Sequence, residues 1–416
     1  MSSSSFRFIH ASDFHLERPL AGLSEVPKAL RDALIEAPFA AARRVFDAAM
    51  AERVDFVVLS GDLVCPTAAS PYALDMLLQQ FERITAAGIS VYWAGGHVDS
   101  PDVWPAALAL PDAVHVFPQG RVAQFLHHRG DEPLASILGL SRDHKHYLPA
   151  SEFRPDEGGL FTIGVGNGTL DEVAISKRRV NYWALGGQSQ RSTTSSLPYL
   201  AHYPGTPQGR DAKATGQHGC TLVQVDESGR ARTSLIPCDA ARWHAEQLHV
   251  SATSRLDELT RDMRQRTQAI SQSSGECVDL IGWQFTGDGV LIDHLRRDEA
   301  QSLVRQLRSD QGETSSAAWT VSVNMPPSGE LPSSWYEQDT MLGEFLRTVQ
   351  TAQDDPDYEL DLEPYLSERH LAGSIGEAVA VTDEATREQV LREAALVGAE
   401  LLGGYETTPQ REEGAA

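Results

Sequence analysis

The 416-residue chain holds no apolar run near the roughly 20 residues that span a bilayer, which argues against a helical membrane protein. Its opening, from Met1 to Arg7, places four serines where a secretory signal would carry an apolar core. Only four cysteines are present (Cys65, Cys220, Cys238 and Cys277), and none has CxxC spacing. They read as free thiols of a reducing cytoplasm rather than a zinc site or a disulfide frame. Basic residues are scarce as well: 35 Lys and Arg stand against 58 Asp and Glu, a net charge of −23. Such a chain does not gather nucleic acid unaided, so any DNA role needs a local basic surface, a partner or metal ions. The deficit is uneven, with 16 acidic and 4 basic side chains in residues 351–416. No long internal repeat is present.

What is there is an α/β pattern. With 41% hydrophobic residues the chain can bury a large core and is long enough for two or three domains. Phe6 to Ala11 reads as a first strand, and residues 39–53 as a helix with Phe39, Ala42, Phe46 and Ala49 on one stripe. Phe56 to Leu59 is an unbroken apolar run, the mark of a strand buried on both faces. Leu74, Leu77, Leu78, Phe81 and Ile84 mark a second helix, and Ile89 to Ala94 a third strand. Strands alternating with helices make a βαβ architecture.

Each strand runs into polar residues. Asp13 and His15, two apart in an extended segment, point to one side and suit a shared metal. Gly61 lets the backbone turn closely enough for Asp62 to reach a site above the sheet, at the carboxyl end of its strand. A carboxylate there can bridge cations, as phosphoester-cleaving sites need. The third strand ends in Gly95-Gly96-His97-Val98-Asp99-Ser100.

Asp13-Phe14-His15, Gly61-Asp62 and Gly95-Gly96-His97 resemble, in order and spacing, the DxH, GD and GNH motifs of calcineurin-like metallophosphoesterases. Within that superfamily, the segment from Phe8 to Pro19 is similar to the opening of SbcD-type DNA-repair exonucleases, the nuclease subunits that work with a coiled-coil ATPase. Tyr182 to Gly186 and Tyr203 to Gln208 resemble that subfamily's closing motif and the strand beyond it. The resemblance implies a two-sheet α/β metallophosphoesterase sandwich over residues 1–240, with the hairpin of Gly219 to Val225 and Ala231 to Ile236 completing the second sheet. A smaller α+β cap over 241–326 and a helical, partner-docking tail over 331–402 would follow, with 403–416 disordered.

By the same resemblance, one metal would be held by Asp13, His15, Asp62 and the residue at Ser189, and a second by Asp62, Gly96, Asn167 and Gly187. The family's asparagine of GNH is Gly96 here, and Asn167, Gly187 and Ser189 stand where it carries histidines. The first set keeps three of four ligands and the second essentially one. Glycine offers no side-chain donor, and serine and asparagine oxygens replace imidazole poorly on manganese or zinc. The expectation is therefore at most one weak manganese site, with zinc or no metal as alternatives. His97 would be the acid beside the leaving group, but Val98 follows it where an acidic residue is usual, and Asp99 comes one place late.

Other polar clusters carry less. Gly164 to Gly168 lacks the spacing and the lysine of a phosphate loop. His127-His128 and His144-Lys145-His146 read as exposed loop residues, and Lys177-Arg178-Arg179 as a solvated basic run. Residues 243–323 read as a βαβαβ module, with Leu256, Leu259, Met263 and Ile270 inward on its first helix. After a proline-rich linker, Leu342, Phe345, Leu346 and Val349 mark one tail helix and Val390, Ala394, Val397 and Leu401 another.

Two versions of one function follow, with alternatives beside them. An SbcD-like subunit with depleted metal ligands would either scaffold its SbcC-like coiled-coil ATPase as a pseudoenzyme or cleave phosphodiesters slowly during double-strand-break processing. DNA would be bound weakly, through a partner or metal, and a second copy of the chain is a further candidate for the tail. The alternatives are a metallophosphoesterase acting on small phosphate esters or nucleotides, and a binding module without DNA.

Overall fold

The computed structural model describes residues 4–143, 148–155, 159–170, 180–196, 199–251, 253–287, 291, 295, 300–313, 318–325, 331, 333–355, 358 and 384–403. Alternation along β1 (Phe6–Ala11) sets its layers. Phe6 and Phe8 face a second sheet, while Ile9 and Ala11 face helices. The next strand, β2 (Phe56–Leu59), repeats the rule, with Phe56 and Val58 inward and Val57 and Leu59 outward. Phe8 stacks on Phe56 at 5.0 Å, and Tyr182 of the opposite sheet meets Phe8 edge-on at 5.4 Å.

The first sheet has the order β12-β11-β1-β2-β3-β4, adding β3 (Ser90–Trp93), β4 (Val114–Val116), β11 (Gly219–Val225) and β12 (Ala231–Pro237). From β1 to β4 the pairing is parallel, and helices α1 (Lys28–Ala51) and α2 (Pro71–Ala86) cover the outer face. The second sheet has the order β5-β6-β7-β8-β10-β9, from β5 (Ala123–Arg129), β6 (Glu132–Leu140), β7 (Phe161–Asn167), β8 (Tyr182–Gly186), β9 (Ser192–Ser196) and β10 (Tyr199–Tyr203). The two sheets form the sandwich expected from the sequence.

Three expectations are corrected. The β11–β12 hairpin belongs to the first sheet, because β11 pairs antiparallel with β1 from Phe6↔Val225 to His10↔Thr221. The first helix begins at Lys28, not near 39, and carries Pro38 in its interior; a proline more often opens a helix than sits within one. His127 is no exposed loop residue. It lies buried on β5 against the Phe56 ring at 4.6 Å, with its Nδ1 and the Tyr92 hydroxyl 3.0 Å apart, whereas His128 is exposed.

The chain divides into two units: Met1–Gln247 with Arg255–Trp283 and Asp298–Val323, and Leu248–Ser254 with Gln284–Arg297 and Asn324–Ala416. Beyond the sandwich runs β13 (Ala241–Val250), α3 (Leu256–Ser274), β14 (Val278–Gly287), α4 (Ala300–Glu313) and β15 (Ala318–Asn324), with sheet order β13-β14-β15. On α3, Leu259 and Met263 are buried as expected, but Leu256 is exposed and Thr260 and Thr267 share the inner face. Among the described residues several of the module's arginines are paired, as in Arg264–Asp310 and Arg266–Glu246.

In the second unit, α5 (Met341–Asp354) packs against α6 (Glu384–Gly403), with Leu342, Leu346 and Val349 meeting Leu391, Ala395 and Ala399. The stripe expected on α6 is instead its outer face: Val390, Val397 and Leu401 are exposed. The predicted readings of 144–146, 177–179, the linker prolines Pro326, Pro327 and Pro332, and 404–416 lie outside the described residues.

Candidate metal centre

The loops that leave β1 and β2 run side by side. The Asp13 amide donates to Gly61 O at 2.9 Å, His15 N to Asp62 O at 2.9 Å, and Leu16 N to Leu63 O at 3.0 Å. Among the described residues only five non-glycines have positive φ, and three of them are Asp13 (57°), His15 (45°) and Asp62 (58°). Asp and His tolerate this left-handed region better than most residues, and such clustering marks a site held in place by its surroundings. The outcome is convergence: ligand atoms of Asp13, His15 and Asp62 all lie within 4.8 Å of one another.

The surroundings orient each of the three. Ser12 Oγ donates to Asp13 Oδ2 at 2.5 Å, and the Gly187 amide to both Asp13 oxygens at 3.1 Å. Burial nevertheless pushes the Asp13 carboxyl up to about 7, and the Asp62 charge adds to the rise. His15 Nδ1 sits 3.0 Å from Glu17 Oε1, which directs Nε2 to any ligand. Glu17 Oε2 accepts from the Cys65 amide at 2.9 Å. Burial raises Glu17, but the hydrogen bonds from His15 and Cys65 outweigh it and hold the group below the ordinary range. Arg210 braces the same loop, donating to the carbonyls of Phe14, His15 (3.2 Å) and Arg18 (2.5 Å). Burial pulls this guanidinium down to about 10.

The remaining predicted positions behave differently. Gly96 packs so tightly on Asp62 that a Cβ would lie 2.5 Å from its amide and 2.6 Å from its Cγ, so no side chain fits there. Asp99 turns inward and accepts from the amides of Asp62 (2.8 Å), Leu63 (2.9 Å) and Gly96 (2.6 Å), pinning the two loops together rather than orienting His97. Burial, and then Asp62, lift Asp99 to about 6. His97 is exposed on the turn whose next residue, Val98, donates its amide to Asp62 Oδ1 at 3.0 Å. Gly187 has a φ of 90° and offers a donor to Asp13, not a ligand. Ser189 is exposed.

Asn167, at the end of β7, is buried with its Nδ2 2.9 Å from Asp62 Oδ2 and 3.0 Å from Ser60 O. Its Oδ1 accepts from Arg142 at 3.1 Å. Because a guanidinium only donates, this contact turns the amide nitrogen toward Asp62. The donor set therefore fits one divalent cation: two adjacent buried carboxylates and an imidazole with its tautomer fixed. It does not fit a second, since Asp62 meets the Asn167 amide nitrogen and Gly96, and Gly187 has no side-chain donor.

Sequence reasoning does not reach Glu17, Arg142 or Arg210 as site residues, and it weighs Asp99 only as an acid one place late behind His97. Glu17 carried a faint signal, standing two residues beyond His15; Arg142 and Arg210 carried none that could be read without the fold.

Residues 6–182 match the family model described as calcineurin-like phosphoesterase. An uncharacterized metallophosphoesterase, YhaO, of Bacillus subtilis strain 168 is 33% identical over 289 residues, covering 66% of this chain and 71% of that protein. Among solved structures, a dimetal phosphatase from Danio rerio is similar over 55% of this chain and 98% of its own, at 11% identity and a TM-score of 0.34. A novel archaeal phosphodiesterase is similar over 55% and 99%, at 14% identity and a TM-score of 0.30. On the sequence matches, with the converged ligands where the motifs put them, this chain belongs to the calcineurin-like metallophosphoesterase family.

Proposed function

We propose that this protein is a one-cation, SbcD-like subunit whose phosphodiester hydrolysis has fallen to a residual level and which supports a coiled-coil ATPase in DNA-break processing. The observation that carries the reading is the ligand count: three side chains converge, Ser189 is exposed, and none of Gly96, Asn167 and Gly187 offers Asp62 a second set of ligands. Asp13, His15 and Asp62 would hold the cation, which when bound would lower the pKa of a water and draw charge from a phosphoryl oxygen. Glu17 fixes the His15 ring, and Asp99 holds the Asp62 backbone through three amides. His97 supplies the proton to the leaving oxygen from its exposed turn, without a carboxylate behind it. The cap module and the tail pair, in the order of the SbcD-type chain, support the repair assignment.

Manganese titration by calorimetry, followed by assays on linear duplex DNA and bis(p-nitrophenyl) phosphate, tests the reading. We expect one ion per chain, lost in Asp62→Asn, and turnover about a thousandfold below a two-cation phosphodiesterase assayed alongside, a difference of about 4 kcal/mol. Two ions per chain, or turnover equal to that control, overturns it.

A further inference from the structure

Asp62 has two sides, and only one faces the Asp13–His15 cluster. The other is closed by a relay: Asp62 Oδ2 accepts from Asn167 Nδ2 at 2.9 Å, and Asn167 Oδ1 accepts from Arg142 Nη1 at 3.1 Å. Arg142 is itself well fixed. It follows β6 at the carboxyl end of the second sheet, its amide donates to Gly95 O at 2.8 Å, and its carbonyl accepts from Gln119 Nε2 at 2.7 Å. The neighbourhood is acidic, with Asp13, Asp62 and Asp99 all buried within hydrogen-bonding contact of one connected set of loops. One divalent cation among three buried carboxylates leaves negative charge uncompensated, and buried charge is costly unless paired.

We propose that the Arg142 guanidinium, acting through the Asn167 amide, takes the place of a second cation at Asp62. Arg142 is then a positioning residue: it polarises Asn167 and occupies Asp62 Oδ2, so that a cation shares Asp62 through Oδ1, which also accepts from the Val98 amide at 3.0 Å. This rests on the one-cation reading above and explains why that reading does not leave Asp62 short of a partner.

The charge logic is testable without activity, by counting manganese ions bound per chain. Asn167→Asp alone should still bind one, because Arg142 pairs with the new carboxylate. Combining Asn167→Asp with Arg142→Gln removes that pairing and should raise the count from one to two. With Arg142→Lys in place of Arg142→Gln, the positive charge remains and the count should stay at one. A near-ultraviolet circular dichroism spectrum unchanged from that of the unmodified protein confirms that each variant keeps its fold. A folded Asn167→Asp, Arg142→Gln double variant that binds one ion, or an Asn167→Asp single variant that binds two, overturns the proposal. Should the double variant fail to fold, the single variant and the lysine-containing pair decide, two ions in either being contrary. Two ions in the unmodified protein would instead overturn the one-cation reading itself.

Discussion

At the scale of single residues, the site is a set of backbone conformations as much as a set of ligands. Asp13 carries the clearest consequence. Its carboxyl is pushed up to about 7 by burial and by Asp62, so a cation must displace its proton below that value. Manganese affinity should fall about tenfold per pH unit below 7, and calorimetric titrations between pH 5.5 and 8 check it; a flat profile would place the cation elsewhere. Glu17→Gln keeps the size of the group that fixes the His15 ring but removes its charge, and should weaken manganese binding about tenfold or more. The three ligands were legible because each is a reactive residue at the end of an apolar strand. Gly96→Asn, which would complete the family's GNH motif, would drive a Cβ into Asp62 and should lower stability without adding a ligand. A one-letter departure from a motif does not reveal that the neighbouring backbone has moved into the space.

At the scale of elements, the strands were legible from apolar runs and the sheet partners were not. The run from Phe56 to Leu59 announces a buried strand, but nothing in Gly219 to Val225 says that it pairs with β1, because register and neighbour are settled by long-range packing. The exposed alternation of β5 and its histidine pair disguised a strand as loop. Inside the sandwich two further histidines are fully buried. His10 Nδ1 lies 2.9 Å from the Tyr182 hydroxyl and its Nε2 2.8 Å from Ser60 Oγ, while His202 sits between Thr193 and Thr221, 2.8 Å from each. Burial lowers His10 well below its usual value and His202 to about 3. A depressed imidazole contributes its full stability above the unfolded value near 6.5. That stability is lost as pH falls toward 3, since the unfolded chain then takes up protons that the folded one refuses. His202→Gln retains a donor and an acceptor for the threonines but does not titrate. The stability difference between wild type and variant, read from urea unfolding, should therefore shrink as pH falls from 6.5; a constant difference would show His202 protonated in the folded state.

At the scale of the whole molecule, the tail needs a different account from the one its sequence suggested. Periodicity offers the stripe of Leu342, Leu346 and Val349 to a partner, but within the chain it packs on Leu391, Ala395 and Ala399. Gly398 allows the approach: a Cβ there would fall 2.1 Å from the Phe345 ring. Periodicity finds an apolar stripe on a helix without saying which of two stripes turns inward, and on α6 small residues won because they let the helices close. What this leaves outward is Val390, Val397 and Leu401, the last with 80% of its surface exposed. The two faces predict separable defects. Leu346→Asp buries an unpaired charge between α5 and α6, and should lower the stability of the pair by about 3 kcal/mol or more, seen as lost helical signal and early proteolysis beyond residue 331. Val397→Asp with Leu401→Asp should leave the helical signal intact. If the tail docks on the coiled-coil ATPase of the proposed function, that double variant alone should abolish co-purification while the helices persist. Co-purification that survives the double variant would remove the outer face of α6 from the interface and leave the tail as a self-contained helical pair.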